Sequence, residues 1–423
     1  MVIGAFLALF VLGFPVVLAI GIPCIVYMFA KGLPIDLVAQ RTLYALDSFP
    51  LVAVPVFLFV GSLMNSAGIS RYIYQFADTA TGRLPGGLAQ VNIFGSLIFA
   101  GMSGSALADI GGIGRIEIDA MRKKGFKAPF AAAVTSSSAI VGPIFPPSIP
   151  LIIYGTVTGV SVIQLLLGGI LPGLLCVAML MLMTGWLAGR RNYPRAERGP
   201  TRAELWRDFK PAFPAIVAPV ILIAGMLAGF FTPTEIAAVT VLYAILISSL
   251  FYRELTWQGV VDAAFETIRA SAGILLIVAV AALFGWILSV EQVPQRLTAL
   301  MVSISTNPYV LLMIVNVLLI VVGMFLDSTT AILVIAPIIA KPLVAAGVDP
   351  VHLGMVVVFN LMIGLLTPPM GLALFLVADI AKVTMKEVLR EMLPYYIPLG
   401  ATLLLITYVP ALTTWIPRLA VGP

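Results

Sequence analysis

Residues 99–109 read FAGMSGSALAD, and residues 321–331 read VVGMFLDSTTA. Each stretch interrupts a long apolar run. Each sets a Gly-Met pair ahead of hydroxyls and a carboxylate. The surroundings make this placement costly. The chain has 423 residues, of which 61% are hydrophobic and 10% charged, against about 25% charged in a soluble domain. Such a composition cannot build a surface for water. Apolar stretches of 18 or more residues mark an integral membrane protein. Residues 1–30 are too long and too apolar for a cleaved signal peptide and are expected to form a first membrane segment.

Nine crossing segments are expected, at 2–30, 50–69, 128–157, 161–188, 212–230, 234–252, 270–290, 351–380 and 394–419. The stretches holding the quoted motifs, 88–112 and 309–345, read as re-entrant hairpins that enter and leave on one side. Of the 24 Lys and Arg residues, 19 fall in the connections 70–87, 113–127, 189–211, 253–269 and 381–393. By the positive-inside rule these connections are cytoplasmic. With nine crossings the N-terminus is then cytoplasmic and the C-terminus lies outside. The net charge of +5 is therefore a topology signal, and no nucleic-acid partner is expected.

The two halves repeat. Adding 222 to a residue number carries Gly101-Met102 to Gly323-Met324, Gly125 to Gly347, Gly142 to Gly364 and Pro146-Pro147 to Pro368-Pro369. The partners 128–157 and 351–380 are expected to run in opposite directions, which makes this an inverted-topology repeat, a recurring plan of secondary transporters. Both partners carry Gly-x-x-x-Pro-Pro mid-span. Proline removes a helix hydrogen bond and clashes with the preceding turn, so each reads as a broken helix.

These features explain the quoted motifs. Non-helical backbone cannot face lipid and survives at membrane depth only in protein or beside a cavity. Residues 88–101 as a helix span about 21 Å, enough to bring the MSGS turn near the middle of a bilayer about 30 Å thick. Helix N-termini attract anions. Carbonyl and hydroxyl oxygens suit a hard cation. A site for an anion and cations follows, built from two hairpin tips and two broken helices.

The motifs GMSGSALAD, AIVGPIFPPSIPLIIYG, FFTPTEIAAV and IGLLTPPMGLALF resemble the large membrane subunit of TRAP transporters, the tripartite ATP-independent periplasmic carriers. The resemblance covers essentially the whole chain. It implies an all-α polytopic protein of the bacterial inner membrane and a sodium-driven importer of carboxylates. It also implies an elevator motion, a periplasmic substrate-binding protein and a small four-helix membrane subunit, which is not expected within this chain. No cofactor is implied beyond sodium as coupling ion. Family sodium sites carry over to Ser103, Gly104 and Ser105 with Ser138 and Gly142, and to Gly323 and Asp327 with Gly364 and Thr367. The substrate is expected against Ser105, Pro146, Ser148, Asp327, Thr330, Asn360 and Pro368. Arg115, Glu117 and Asp119 interrupt the return arm of the first hairpin, which is expected to leave the membrane early.

The other polar residues divide as follows. Asp109 is open between capping and ligand contact. Glu235, after Thr232-Pro233-Thr234, is either part of a cap built on Thr234 or a docking residue for the binding protein. His352 is expected at the interface, and Cys24 and Cys176 as small core residues. Segments 34–48 and 254–269 read as interfacial arms. The organisation expected is scaffold and arms at 1–87, hairpin and broken helix at 88–160, connecting helices at 161–233, second scaffold at 234–308, second hairpin and broken helix at 309–380, and a C-terminal helix at 381–423. A stand-alone sodium/carboxylate symporter is the alternative function. HExxH, GxSxG and Walker motifs are absent, so neither an enzyme nor ATP-driven transport is expected. The motifs leave four-carbon dicarboxylates, sialic acid and other sugar acids open as substrates.

Overall fold

A computed structural model describes residues 2–195, 199–229 and 231–422, so residues 196–198 of the long connection and the last residue of segment 212–230 lie outside the description. Among the described residues the regular structure is helical. Seven helices are long and apolar enough to cross a membrane.

The first half opens with α1 (Val2–Val11), α2 (Val16–Ala30), α3 (Asp36–Leu46), α4 (Phe49–Ser66) and α5 (Ile69–Thr81). The first hairpin pairs α6 (Leu88–Ser103) with a return arm. That arm is α7 (Ala106–Asp109), a π turn over Ile110–Gly114, and α8 (Arg115–Lys123). The first broken helix is α9 (Ala128–Ala139) and α10 (Ile149–Thr158), followed by α11 (Val162–Gly168) and α12 (Ile170–Arg190).

The second half continues with α13 (Arg202–Leu227), α14 (Pro233–Leu246), α15 (Trp257–Val290) and α16 (Val293–Ile304). The second hairpin is α17 (Pro308–Phe325) and α18 (Ser328–Ala345), and the second broken helix is α19 (Pro350–Leu365) and α20 (Leu372–Ala381). The chain closes with α21 (Met385–Met392), α22 (Tyr396–Tyr408) and α23 (Ala411–Val421), the last bent by 55° from the helices before it.

Element ends keep the 222-residue offset. The return arms 106–123 and 328–345 match end for end, as do the starts of α9 and α19. Both Pro-Pro bonds are cis.

Segment 2–30 departs from the expected single crossing. Gly13, at φ +85°, closes α1 through the bonds Phe14 N–Leu9 O (3.1 Å) and Gly13 N–Phe10 O (3.0 Å), a Schellman-type stop that Pro15 reinforces. The chain then turns back as α2. Phe6 meets Phe284 of α15 at 5.9 Å between ring centres. Val2 and Ile3 line a cavity with Tyr27, Lys31 and Glu291. Tyr27 donates to Glu291 at 2.5 Å, and Lys31 pairs with the same carboxylate at 3.4 Å. Both ends of the segment therefore lie at the Glu291 end of α15. The apolar length that suggested one crossing is spent on two short helices.

Three further readings change. The arm expected over 254–269 is not separate: Thr256 caps α15, and this helix runs 34 residues without a break, about 51 Å. In the first half, Asp47 (φ −79°, ψ 46°) and Ser48 (φ −111°, ψ 116°) leave helix geometry and separate α3 from α4. The first return arm runs on as helix to Lys123 through the charges expected to interrupt it. Arg115 and Asp119, four residues apart, are exposed on one face, while Glu117 on the other is buried. His352 is buried rather than interfacial, with Nδ1 3.0 Å from Thr413 Oγ1 of α23.

The reversal of α1 onto α2 predicts a labelling pattern. Single cysteines at Ile3 and Gln295 should react from one side with a membrane-impermeant maleimide, and one at Lys386 from the other. Ile3→Cys reacting from the Lys386 side would restore the single crossing.

Candidate functional site

The tips of the two hairpins meet in one cavity of about 440 Å³. Ser103, Gly104 and Ser105 enter from the first hairpin, and Asp327, Ser328 and Thr329 from the second. The first broken helix supplies Pro143, Ile149 and Pro150, and the opposite wall is Gly61, Ser62 and Asn65 of α4 with Glu266 and Thr267 of α15. The volume lies within the usual range for small-molecule sites, about 300–1,000 Å³.

At each tip an N-cap residue starts the return arm. Ser105 Oγ accepts from Ala108 N at 3.4 Å. Asp327, 222 residues on, accepts from Thr330 N at 3.1 Å and from the Thr330 hydroxyl. Oxygen acceptors on the first free N–H groups are what a helix start requires. Gly104 sits at φ +61°, and a Cβ there would stand 2.5 Å from the Pro147 carbonyl. The first tip therefore rests on the backbone of the first break. The second tip is tied likewise, by Gly371 N donating to Met324 O at 3.3 Å.

Asp109 is buried one turn into the first return arm and accepts from the Ser103 hydroxyl. Its other oxygen, Oδ2, has no hydrogen-bond partner among the described residues. It faces Gly142, where a Cβ would lie 2.8 Å from Oδ2 and 3.6 Å from Ser105 N. Ser103, Ser105, Asp109 and Gly142 thus form one junction. In the second half, Gly323 and Gly364 bring α17 and α19 into backbone contact, with a Cβ at Gly364 only 2.6 Å from Gly323 Cα. The aligned Gly101 has a different neighbour, Pro219 of α13.

Several expected contacts stand away from the cavity. Ser138 donates to Asn92 Oδ1 at 2.8 Å and accepts from Ser96 at 2.9 Å, tying α9 to α6. Asn360, its counterpart at the 222 offset, donates to Asn316 at 2.5 Å, and Asn316 donates to Thr407 at 3.0 Å. Ser148 caps α10 by accepting from Leu151 N at 3.2 Å and donates to the Pro143 carbonyl. Thr330 is turned to Asp327, and Thr367 donates to Ile363 O at 2.7 Å. Pro146 is buried, whereas Pro368 is half-buried, and the Tyr396 hydroxyl donates to the Leu366 carbonyl at the second break. Glu235 closes a capping box in which its carboxylate accepts from Thr232 N and Oγ1, both at 2.8 Å. Thr232 is the cap, and Thr234 instead donates to Phe49 O at 3.0 Å. The sequence reading missed Asn65, Glu266 and Thr267, which lie on helices read only as scaffold and arm. Ser328 and Thr329 were legible as hydroxyls of the tip.

The glycine crossing yields a test. Gly364→Ala overpacks backbone against backbone at a cost of about 1–3 kcal/mol. It should lower the melting temperature of the purified protein and abolish uptake. Gly400→Ala, with nothing within 4 Å of its Cβ, should change neither. Parental melting in Gly364→Ala would rule out the described crossing.

The family model and the sequence relatives agree on one family. Residues 3–412 match the model of the "Tripartite ATP-independent periplasmic transporter, DctM component". The chain is 43% identical over 388 residues to the sialic acid TRAP transporter large permease protein SiaM of Vibrio cholerae, covering 92% of this chain and 91% of that one. It is 32% identical over 433 residues to the C4-dicarboxylate TRAP transporter large permease protein DctM of Rhodobacter capsulatus, covering 99% and 98%. The YdaH transporter of Alcanivorax borkumensis, whose crystal structure has an unusual topology, shares the fold with TM-score 0.61 at 17% identity, over 94% of this chain and 90% of that one. These relatives are transport proteins and not enzymes, and the chain belongs to the family of large membrane subunits of tripartite ATP-independent periplasmic transporters.

Proposed function

We propose that the chain is the membrane carrier of a sodium-coupled importer for a sialic-acid-like carboxylate. The observation that carries this reading is the shared cavity, where both hairpin tips face a wall of α4 and α15. Sodium would be held at the Ser103, Gly104, Ser105 and Gly142 junction, where the unpartnered Asp109 oxygen supplies a buried negative charge. Hydroxyl, carbonyl and carboxylate oxygens are the ligands a hard cation takes. A second ion would be held by Asp327 with Gly323, Gly364 and Thr367, as the sequence motifs imply. The substrate carboxylate would enter between the tips, near Ser105, Asp327 and the free amides of the helix starts. Sialic acid is favoured over four-carbon acids by the 43% identity to SiaM against 32% to DctM.

The motion would be an elevator. Residues 88–190 and 308–421 form one unit and residues 2–81 and 202–304 the other. Among the described residues, no hydrogen bond or ion pair joins the two units. Their seam uses close approaches at small residues instead. A Cβ at Gly61 would meet the Met102 carbonyl at 3.0 Å, and one at Gly101 the Pro219 ring at 2.5 Å. A seam without such ties favours sliding, since no hydrogen bond between the units has to break on the way. The pairing of Lys31 with Glu291 sets the start of α4 and the end of α15 on one side, which supports inverted repeats. With the basic connections cytoplasmic, the N-terminus is periplasmic and not cytoplasmic, and the C-terminus is periplasmic too. The binding protein would dock at the end bearing Glu235, and a small membrane subunit would flank the scaffold.

Two measurements test these readings. Uptake of sialic acid into proteoliposomes holding all three components should require an inward sodium gradient, and Asp327→Ala should reduce it at least tenfold. Full uptake on a pH gradient in sodium-free buffer would overturn the coupling. For the motion, a Cβ at Gly112 lies 4.0 Å from Asn65 Nδ2 of α4. Bridging Asn65→Cys and Gly112→Cys with mercuric ion should stop uptake, and thiol should restore it. Uptake that continues with the bridge in place excludes sliding along α4.

A further inference from the structure

A second cavity, of about 740 Å³, lies at the outer end of the same unit. It shares no lining residue with the cavity at the tips. Two helices connect them. Along α10, Ile149 and Pro150 line the first cavity, and Tyr154 and Thr158 the second. Along α18, Ser328 and Thr329 line the first, and Lys341 and Val344 the second. Thirteen residues of helix from Ser328 to Lys341 span about 20 Å, so the two sites are well separated.

The chemistry of this cavity is cationic. Lys341 and Arg418 both line it. The one carboxylate among the described lining residues, Asp349, is already committed. Its Oδ1 accepts from Val351 N at 2.9 Å and His352 N at 3.1 Å as the cap of α19, and its Oδ2 accepts from Arg418 at 3.2 Å. Lys341 has no hydrogen bond or ion pair among the described residues. Tyr154 adds the decisive feature. It is 0% exposed, its hydroxyl has no partner among the described residues, and it lines the cavity beside Ser161 and Gln164. A buried phenol without a partner is costly, because its desolvation is not offset. A ligand acceptor atom in the cavity would remove that cost, and an ammonium on the same lining calls for a negatively charged acceptor.

We propose that this cavity binds a small oxyanion, a carboxylate or phosphate group held by Lys341 and the Tyr154 hydroxyl, with Arg418 shared between the ligand and Asp349. The group could be carried by a soluble organic acid or by a lipid headgroup, and its recognition would be the same. The proposal stands apart from the transport reading, because every residue it uses lies outside the cavity at the tips.

A thiol reporter tests it. Cys24 and Cys176 are buried, so Val160→Cys on the cavity lining gives a single reactive site. Maleimide labelling would be timed in detergent with N-acetylneuraminate or inorganic phosphate, and in nanodiscs of phosphatidylcholine with and without phosphatidylglycerol. At least one of these should slow labelling fivefold or more, and Lys341→Gln should abolish the effect. Slowing in detergent identifies a soluble anion, and slowing only with phosphatidylglycerol identifies a lipid. Protection that survives both Lys341→Gln and Arg418→Gln, or no protection by any probe, overturns the site. The slowing should also persist in an Asp327→Ala background. Its loss there would assign the effect to the tips and refute a separate site.

Discussion

The structure depends on one constraint: broken backbone inside a membrane must find its partners within the protein. The chain breaks four times at depth, at two tips and two proline pairs, and it sets the breaks against each other. Gly104 lies on the Pro147 carbonyl, and Gly371 donates to Met324 across the second pair. At Gly104 a side chain would occupy the space the facing carbonyl needs, and Gly371 takes φ +51°, a conformation glycine adopts freely. The same stacking gathers four helix starts and stops, so satisfying the backbone and building a polar cavity are one event.

A second division follows from where polar side chains pair. Within the hairpin unit, buried amides and hydroxyls link neighbours: Asn92 with Ser138, Asn316 with Asn360, Thr184 with Tyr395. Within the scaffold, Asp208 accepts from Gln75 and Thr79, and Tyr243 donates to Pro214. Such bonds contribute about 0.6–2 kcal/mol each in a membrane and fix helices in one register. Among the described residues no hydrogen bond or ion pair crosses between the proposed units, although polar side chains such as Asn65 and Glu266 face the tips across the cavity. On the proposed elevator reading, this placement of polar residues would hold each body together while leaving the seam free to move.

Much of this was legible in the residues. The constant offset of 222 located both tips and both breaks, because glycine and proline act through local backbone geometry that a sequence states directly. Ser105 and Asp327 were readable for the same reason. The failures came where packing decided. Residues 2–30 have the length and apolarity of a crossing, and only the Gly13 stop and the fit of Phe6 against Phe284 turn them back. The motif that marks Ser138 and Asn360 as ligands does not state their hydrogen bonds to Asn92 of α6 and Asn316 of α17. Glu266 enters the cavity because α15 is continuous, which a pattern of short amphipathic segments concealed.

The two halves match in backbone more closely than in charge. The cap of the first return arm is a serine and that of the second an aspartate, at equivalent positions. The first junction obtains its carboxylate from Asp109 instead, whose equivalent in the second half is Ala331. Asp109 is buried beneath the tip with one oxygen on Ser103, whereas Asp327 is half-buried on the cavity wall with its oxygens on Thr330. On the proposed reading, the two cations would then sit in unlike surroundings. The first would be enclosed, with its charge compensated at short range in a low dielectric. The second would border the cavity, where water competes for the same oxygens. An ion at the second junction would exchange sooner and sense the substrate carboxylate more directly, so the pseudo-symmetric fold would carry two ions with different tasks.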